Sequence, residues 1–141
     1  MIMTDYNKPL PVLGDDNRPF WEAARREELR MQQCLDCGHI RYPINHVCPQ
    51  CLSERADWRR LSGRGTVFSY IVFHQVYHAG FAQDVPYNVA MIQLEEGPRM
   101  ISNVVGVPND AVKVGDAVTV TFDKVTEEIT IPRFTPAGKP A

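Results

Sequence analysis

Four cysteines fall within 18 residues of this 141-residue chain: Cys34-Leu35-Asp36-Cys37 and, ten residues on, Cys48-Pro49-Gln50-Cys51. Each Cys-x2-Cys pair sets two thiols on one side of a tight knuckle, and two facing knuckles make a tetrahedral site of four sulfurs. Gly38 follows the first pair, where a knuckle often needs positive φ. A thioredoxin-type redox pair needs a βαβ pattern beside one Cys-x-x-Cys, and the flanking sequence has none. Disulfides do not persist in a reducing cytosol. Tetrahedral thiolates also suit iron, but the ligand spacing favours zinc. A closed four-thiolate site leaves no position open to substrate. One structural Zn2+ per chain, on Cys34, Cys37, Cys48 and Cys51, is therefore the expectation, supplying much of the folding free energy of a small module. His39 and His46 lie inside the hairpin; four cysteines complete the site without them, which leaves both histidines at the surface or behind the ligands.

The rest of the composition excludes several classes. Hydrophobic residues make up 44% and charged residues 23%, the proportions of a globular chain rather than a disordered, collagen-like or coiled-coil one. No run approaches the roughly 18 apolar residues of a membrane-spanning helix. The N-terminal residues lack the basic and apolar regions of a secretory signal, so the expected location is cytoplasmic. The net charge of −2 opposes general nucleic-acid binding. Its distribution is uneven: residues 18–64 hold nine arginines against six acids, and residues 65–141 hold five basic residues against eight acids. Arginine suits bidentate contact with phosphate or carboxylate; a solvated surface is the plainer reading.

Hydrophobic patterning gives a mainly β fold with one N-terminal helix, a zinc ribbon and a five-stranded OB-type barrel. Residues 1–17 carry Pro9, Pro11 and Gly14 and read as an extended arm. Asn17 can cap a helix that has Pro19 in its first turn and runs from Phe20 to Arg30, within a helix-plus-ribbon segment at 18–61. Its apolar stripe is narrow, so the helix, with Phe20 and Trp21, either packs on another chain or lies over its own ribbon. Trp58 to Arg64 reads as a linker. The barrel at 62–131 begins with a long strand, Thr66–His74, followed by Tyr87–Leu94, Arg99–Val105, Ala117–Asp123 with Val118, Val120 and Phe122 inward, and Glu128–Ile131. Pro132 to Ala141 reads as a Pro/Gly tail. Between the first two barrel strands lies a loop, His74–Pro86, whose Val76, Tyr77, Phe81 and Val85 follow no strand period. Such a loop either faces a ligand or partner, or folds back over the barrel mouth.

No catalytic set assembles. The cysteines are taken by the metal, and neither a Gly-x-Ser-x-Gly elbow nor a His-Glu-x-x-His helix occurs. His74 and His78 stand in a loop broken by Gly80 and Pro86. What remains is a binding or scaffolding module.

The ordered set Cys34-x-x-Cys37-Gly38, Tyr42-Pro43, Cys48-Pro49-x-Cys51, Ser62-Gly63-Arg64-Gly65-Thr66-Val67-Phe68-Ser69-Tyr70, Pro86-Tyr87, Glu96-Gly97-Pro98-Arg99 and Ile131-Pro132-Arg133-Phe134 resembles the acyl-CoA-associated rubredoxin-like zinc-ribbon/OB-fold proteins, domain of unknown function 35. At Ile44-Asn45 the chain departs from the Pro-Arg of many relatives. The resemblance implies an accessory, non-catalytic subunit in a hetero-oligomer with a thiolase-fold catalytic subunit, active on CoA thioesters in thiolase, acyltransferase or aldolase chemistry. On that reading Phe20, Trp21, Tyr77, His78, Phe81 and Val85 are the candidates for contact with acyl-CoA or the partner. A nucleic-acid-binding ribbon/OB module is the alternative, opposed by the acidic barrel. A stand-alone acyl-CoA carrier is a third reading.

Overall fold

The computed structural model describes residues 6–137. Helix α1 (Arg18–Arg25) leads into β1 (Arg30–Cys34), β2 (Ile40–Arg41) and β3 (Ala56–Arg60), which form an antiparallel sheet in the order β2-β1-β3. The barrel follows as β4 (Arg64–Phe73), β5 (Tyr87–Leu94), β6 (Arg99–Ser102), β7 (Ala117–Lys124) and β8 (Thr130–Pro136), ordered β6-β5-β4-β7-β8. Short 3-10 turns occupy Ala79–Phe81 and Asn109–Ala111.

A bulge between Val67 and Ser69 bends the long β4, so that its first residues pair with β7 while its whole length pairs with β5. The sheet closes where the chain after β6 meets β8 in a parallel bridge, Val104 opposite Phe134. There the Val105 N–H donates to the Phe134 carbonyl at 2.7 Å, and the Phe134 N–H donates to the Asn103 carbonyl at 2.9 Å. A five-stranded antiparallel sheet whose chain crosses from β6 to β7, beside β4, and which is shut by one parallel contact has the Greek-key topology of an OB barrel. Strand β5 alternates strictly, sending Asn88, Ala90, Ile92 and Leu94 inward. The buried Asn88 amide accepts from the Val104 N–H at 2.8 Å and donates to the Val104 carbonyl at 2.8 Å. It thus substitutes for strand pairing where the ladder ends.

The helix settles on its own chain. Phe20, Ala23 and Ala24, at the i, i+3, i+4 spacing of one face, are buried, and the two alanines let α1 approach β1, β7 and β8 closely. Phe20 is 4% exposed and meets the rings of Trp21 and Tyr42 at 5.0 and 6.2 Å. It belongs to one apolar cluster that runs from Leu29, Met31 and Ile40 of the ribbon to Ile92, Val118 and Phe134 of the barrel. Phe20, a candidate for contact with acyl-CoA or a partner, is thus packed into this chain's own core. Trp21 lies half-buried beside it.

Three boundaries differ from expectation. The helix stops at Arg25 because Glu27 turns left-handed (φ 62°), with its N–H on the Ala24 carbonyl and the Glu28 N–H on the Ala23 carbonyl, both at 2.9 Å. This is a Schellman stop, which propensity alone does not show when no glycine marks it. The first part of the expected linker, residues 58–60, belongs to strand β3, recruited by pairing with β1, and its last residue, Arg64, opens β4. Residues 132–136, expected as tail, are the greater part of β8. Its two prolines sit at Pro132 and Pro136, clear of Phe134, whose N–H closes the barrel. Residues 1–5 of the arm and 138–141 of the tail lie outside the described residues.

Two substitutions test this account. Glu27→Gly should raise stability by about 0.5–1 kcal/mol, because glycine adopts the left-handed stop without strain. Phe134→Ala should lower stability by about 3–5 kcal/mol, the scale of a fully buried aromatic ring. Denaturant midpoints of the zinc-loaded chain would read both.

Candidate functional site

Two knuckles with one backbone pattern bring the cysteines together. The Cys34 N–H donates to the His39 carbonyl at 2.8 Å, and the Cys48 N–H donates to the Ser53 carbonyl at 2.9 Å, five residues on in each case. The Gly38 N–H returns to the Cys34 carbonyl (3.0 Å) as the Leu52 N–H returns to the Cys48 carbonyl (2.8 Å). Gly38 and Leu52 both have positive φ, 82° and 65°. Glycine takes this conformation freely, whereas leucine does so at a cost of roughly 1 kcal/mol.

The pattern places Cys34 Sγ 3.5 Å from Cys51 Sγ and Cys37 Sγ 3.6 Å from Cys48 Sγ, with all four sulfurs within 4.8 Å of one another. A tetrahedron with zinc–sulfur bonds of about 2.3 Å has edges of about 3.8 Å, so the set fits the ion. The protonation equilibria fit as well. The backbone N–H groups of Cys37 and Asp36 bring Cys34 down to about 6. Burial pushes Cys48 up, but the N–H groups of Cys51 and Gln50 outweigh it and hold that thiol low. The His39 N–H pulls Cys37 down, yet burial and the Cys48 sulfur leave it raised. The Ser53 N–H pulls Cys51 down, yet the Cys34 sulfur and burial push it up to about 12. Four sulfurs this close do not all ionise side by side; a dication among them makes four thiolates favourable. Both histidines stay out of the set: His46 pairs with Glu54 at 3.0 Å on the surface, and His39 presents backbone groups to Cys34 and Cys37.

The loop after β4 is partly folded back on the barrel. Phe81 folds back and stacks on Tyr87 (5.1 Å), which stacks on Phe73 (5.3 Å), while Tyr77 meets Phe73 edge-on at 5.8 Å and stays 70% exposed. His78 caps the 3-10 turn, its Nδ1 accepting from the Gly80 N–H at 2.9 Å. Val85 is half-buried.

The arm crosses this loop. Lys8 Nζ pairs with Asp84 at 2.6 Å and lies over the Phe81 ring at 5.3 Å. Gly80 lets the arm pass, since a Cβ there would stand 2.5 Å from the Asn7 carbonyl oxygen. Beneath lies a cavity of about 590 Å³ whose wall includes Lys8, Phe81, Tyr87, Ile101, Val105 and Arg133. Arg133 is held at its rim by Asp123 (2.8 Å) and Asn103. Reading the sequence missed Lys8, Asn103 and Arg133, because arm, third barrel strand and presumed tail meet only in space. Beside the cavity the outer face of β4-β5-β6 carries Ile71, Met91 and Ile101. The cations at this sheet's edges are engaged: Arg64 with Glu95 at 2.9 Å, and Arg99 over the Phe68 ring at 3.9 Å.

Comparison with known proteins follows the same division. Residues 21–57 match the family profile "ChsH2, rubredoxin-like zinc ribbon domain", and residues 58–123 match "ChsH2, C-terminal OB-fold domain". The fold and site thus define a zinc-ribbon/OB-fold protein. A DUF35 domain-containing scaffold protein of Methanothermobacter thermautotrophicus is 35% identical over 118 residues, 83% of this chain and 88% of that one. The chain belongs to the DUF35 family. A probable enoyl-CoA hydratase alpha subunit of Thermomonospora curvata is 37% identical over 130 residues, 92% of this chain but 40% of that longer protein. A benzoylsuccinyl-CoA thiolase subunit, BbsA, of Thauera aromatica is 27% identical over 104 residues, 74% of this chain and 69% of that one. Among solved structures, a chain of the Ltp2-ChsH2(DUF35) aldolase superposes with a TM-score of 0.82 at 37% identity, covering 91% of this chain and 99% of that chain. Among the described residues no helix is long and apolar enough to cross a membrane.

Metal analysis should find about one zinc per chain, with four sulfurs at about 2.3 Å by X-ray absorption. Zinc should be lost as pH falls, because protons compete for the thiolates. Cys48→Ser should abolish stoichiometric zinc and unfold the ribbon.

Proposed function

We propose that this chain is a non-catalytic, zinc-stapled subunit of a cytoplasmic thiolase- or aldolase-type complex that makes or breaks C–C bonds in CoA thioesters. The observation that carries the reading is the match, over 91% of its length, to a DUF35 chain of an aldolase. The kinship with a subunit of a CoA-thioester thiolase points the same way. The chain's own chemistry is compatible with such a role. Its thiols are grouped for a structural metal that has no open coordination position, and its exposed features bind rather than react.

In this role Cys34, Cys37, Cys48 and Cys51 hold one structural Zn2+ that fixes the ribbon. The partner, a thiolase-fold subunit, supplies the reacting groups. This chain contributes a wall to the acyl-CoA site: Tyr77 stands exposed on the loop, edge-on to Phe73, while Phe81, Val85 and His78 shape the surface behind it. Arg59 and Arg60, exposed on β3, offer guanidinium groups of the kind that grip phosphate bidentately. Holding the thioester in a reactive pose contributes to the barrier without any bond-making group. Nucleic acid is the poorer ligand for this barrel. The arginines flanking the outer face of β4-β5-β6 are already paired, Arg64 with Glu95 and Arg99 over the Phe68 ring, and the barrel segment carries more acids than bases.

Kinetics on the stoichiometric, size-purified complex test the reading. Tyr77→Ala and Phe81→Ala should each lower kcat/KM for the CoA thioester by the equivalent of about 1–3 kcal/mol, the scale of one buried side chain. Val118→Ala, deep in the barrel, should lower stability and leave kcat/KM unchanged. Unaltered kcat/KM in both loop variants would refute direct participation and reduce the loop to subunit adhesive.

A further inference from the structure

The cavity under the arm has the size of a small-molecule pocket, about 590 Å³. Most of its wall is apolar, with Phe81, Tyr87, Ile101 and Val105 among the lining side chains. Tyr77, His78 and Val85, assigned above to an acyl-CoA wall, do not line it. The neutral polar groups of the wall are turned to the fold itself. Asn88 bonds to Val104 and Asn109, Asn109 donates to the Pro86 carbonyl at 2.9 Å, and Ser102 donates to the Pro132 carbonyl at 2.8 Å.

Among the described residues two cations line the cavity, Lys8 and Arg133, and no acid does. Each cation has an aspartate beside it, Asp84 and Asp123, but the pairs are lopsided. The Lys8 and Arg133 side chains are 19% and 20% exposed, against 43% and 48% for the two aspartates. Water screens the acids more than the cations, so the cavity meets the positive end of each pair. Arg133 is also fixed in place. Asp123 takes its Nε–H at 2.8 Å and Asn103 takes an Nη1–H, while no acceptor among the described residues meets Nη2. A held guanidinium with one nitrogen to spare suits a carboxylate; a phosphate needs more donors than this wall has left.

The roof is built in. Lys8 Nζ lies over the rings of Tyr6 and Phe81, at 5.3 Å from each, and Gly80 leaves the arm the room that a Cβ would take.

We infer that this cavity is a binding site for a small carboxylate with an apolar body. Arg133 donates to the carboxylate, and the body packs along Phe81, Tyr87 and Ile101 beneath the arm. The site belongs to this chain alone and needs no partner, so it stands apart from the subunit reading.

The test uses the full zinc-loaded chain without a partner. The probes are hydrocinnamate, its neutral amide, acetate and hydrocinnamoyl-CoA, with binding read by calorimetry and by backbone amide NMR shifts. Hydrocinnamate should bind more tightly than about 1 mM, the scale of a small, well-buried ligand. It should shift the signals of Ile101 and Val105 and leave those of the ribbon knuckles in place. The amide should bind about tenfold more weakly, having lost a charge-assisted hydrogen bond. Acetate, with no apolar body, should bind far more weakly still. Arg133→Gln and Lys8→Met should each weaken hydrocinnamate binding and keep one zinc per chain. Lys8 lies outside the barrel strands, so its variant carries the test if Arg133→Gln fails to fold.

No detectable binding of hydrocinnamate by the wild-type chain would overturn the inference and leave the subunit reading untouched. Equal binding of acid and amide would overturn it by showing an apolar cleft indifferent to charge. Acetate binding as tightly as hydrocinnamate would overturn it in favour of an adventitious ion only. Hydrocinnamoyl-CoA binding where the free acid does not would overturn it and give the cavity to the thioester of the subunit reading, which would stand.

Discussion

Four sulfurs held within 4.8 Å of one another are stable as thiolates only around a cation, and the ribbon is arranged around that condition. Backbone N–H groups converge on the sulfurs, favouring the charged form at Cys34 and Cys48, while sulfur–sulfur crowding raises Cys37 and Cys51. The residues between the knuckles form only a two-residue strand, Ile40–Arg41, although Ile40, Tyr42 and Ile44 reach the apolar cluster. With so little hydrogen-bonded structure of its own, this segment couples metal binding to its folding.

The ribbon's order reaches the barrel through a shared core and a polar joint. Leu61 donates its N–H to the Leu29 carbonyl at 2.7 Å, closing the end of the ribbon sheet. One residue on, Ser62 Oγ donates to Glu95 at 2.8 Å, and its N–H donates to Glu96 at 2.7 Å, tying the junction to the β5-β6 hairpin. The Ser62 hydroxyl, with Arg64 beside it, holds the Glu95 carboxyl below the usual range. Beneath this joint Phe20 and Leu29 pack in one cluster with Ile92 and Phe134. Ribbon and barrel thus form a single body. The aromatic loop is carried at a set position on it.

The surfaces left over by folding divide by chemistry. The mouth of the barrel is aromatic and roofed by an arm that Lys8 fastens to Asp84. The outer sheet face carries Phe68 as well as the aliphatic Ile71 and Ile101, and the ribbon exposes Leu35 and Leu52. No bond-making constellation lies among these features in the described residues.

The metal set was legible in the sequence because its geometry is local: two Cys-x2-Cys turns dictate their own backbones, and four thiols leave few chemical alternatives. The barrel strands were legible for a similar reason, since alternation such as that of Val118, Val120 and Phe122 records which side of a strand is wet. Phe20 was not legible. A narrow apolar stripe has the same pattern whether its partner is another chain or the strands more than a hundred residues later that bury it. Nor was the greater part of β8, residues 132–136, because two prolines read as tail until Phe134 finds Asn103 and Val105 and closes the barrel. The cavity joining Lys8, Phe81 and Arg133 has no sequence signature at all. Spacing determines ligands and faces through the short-range geometry of the backbone; only tertiary structure decides which faces meet, because that depends on packing between segments far apart in the chain.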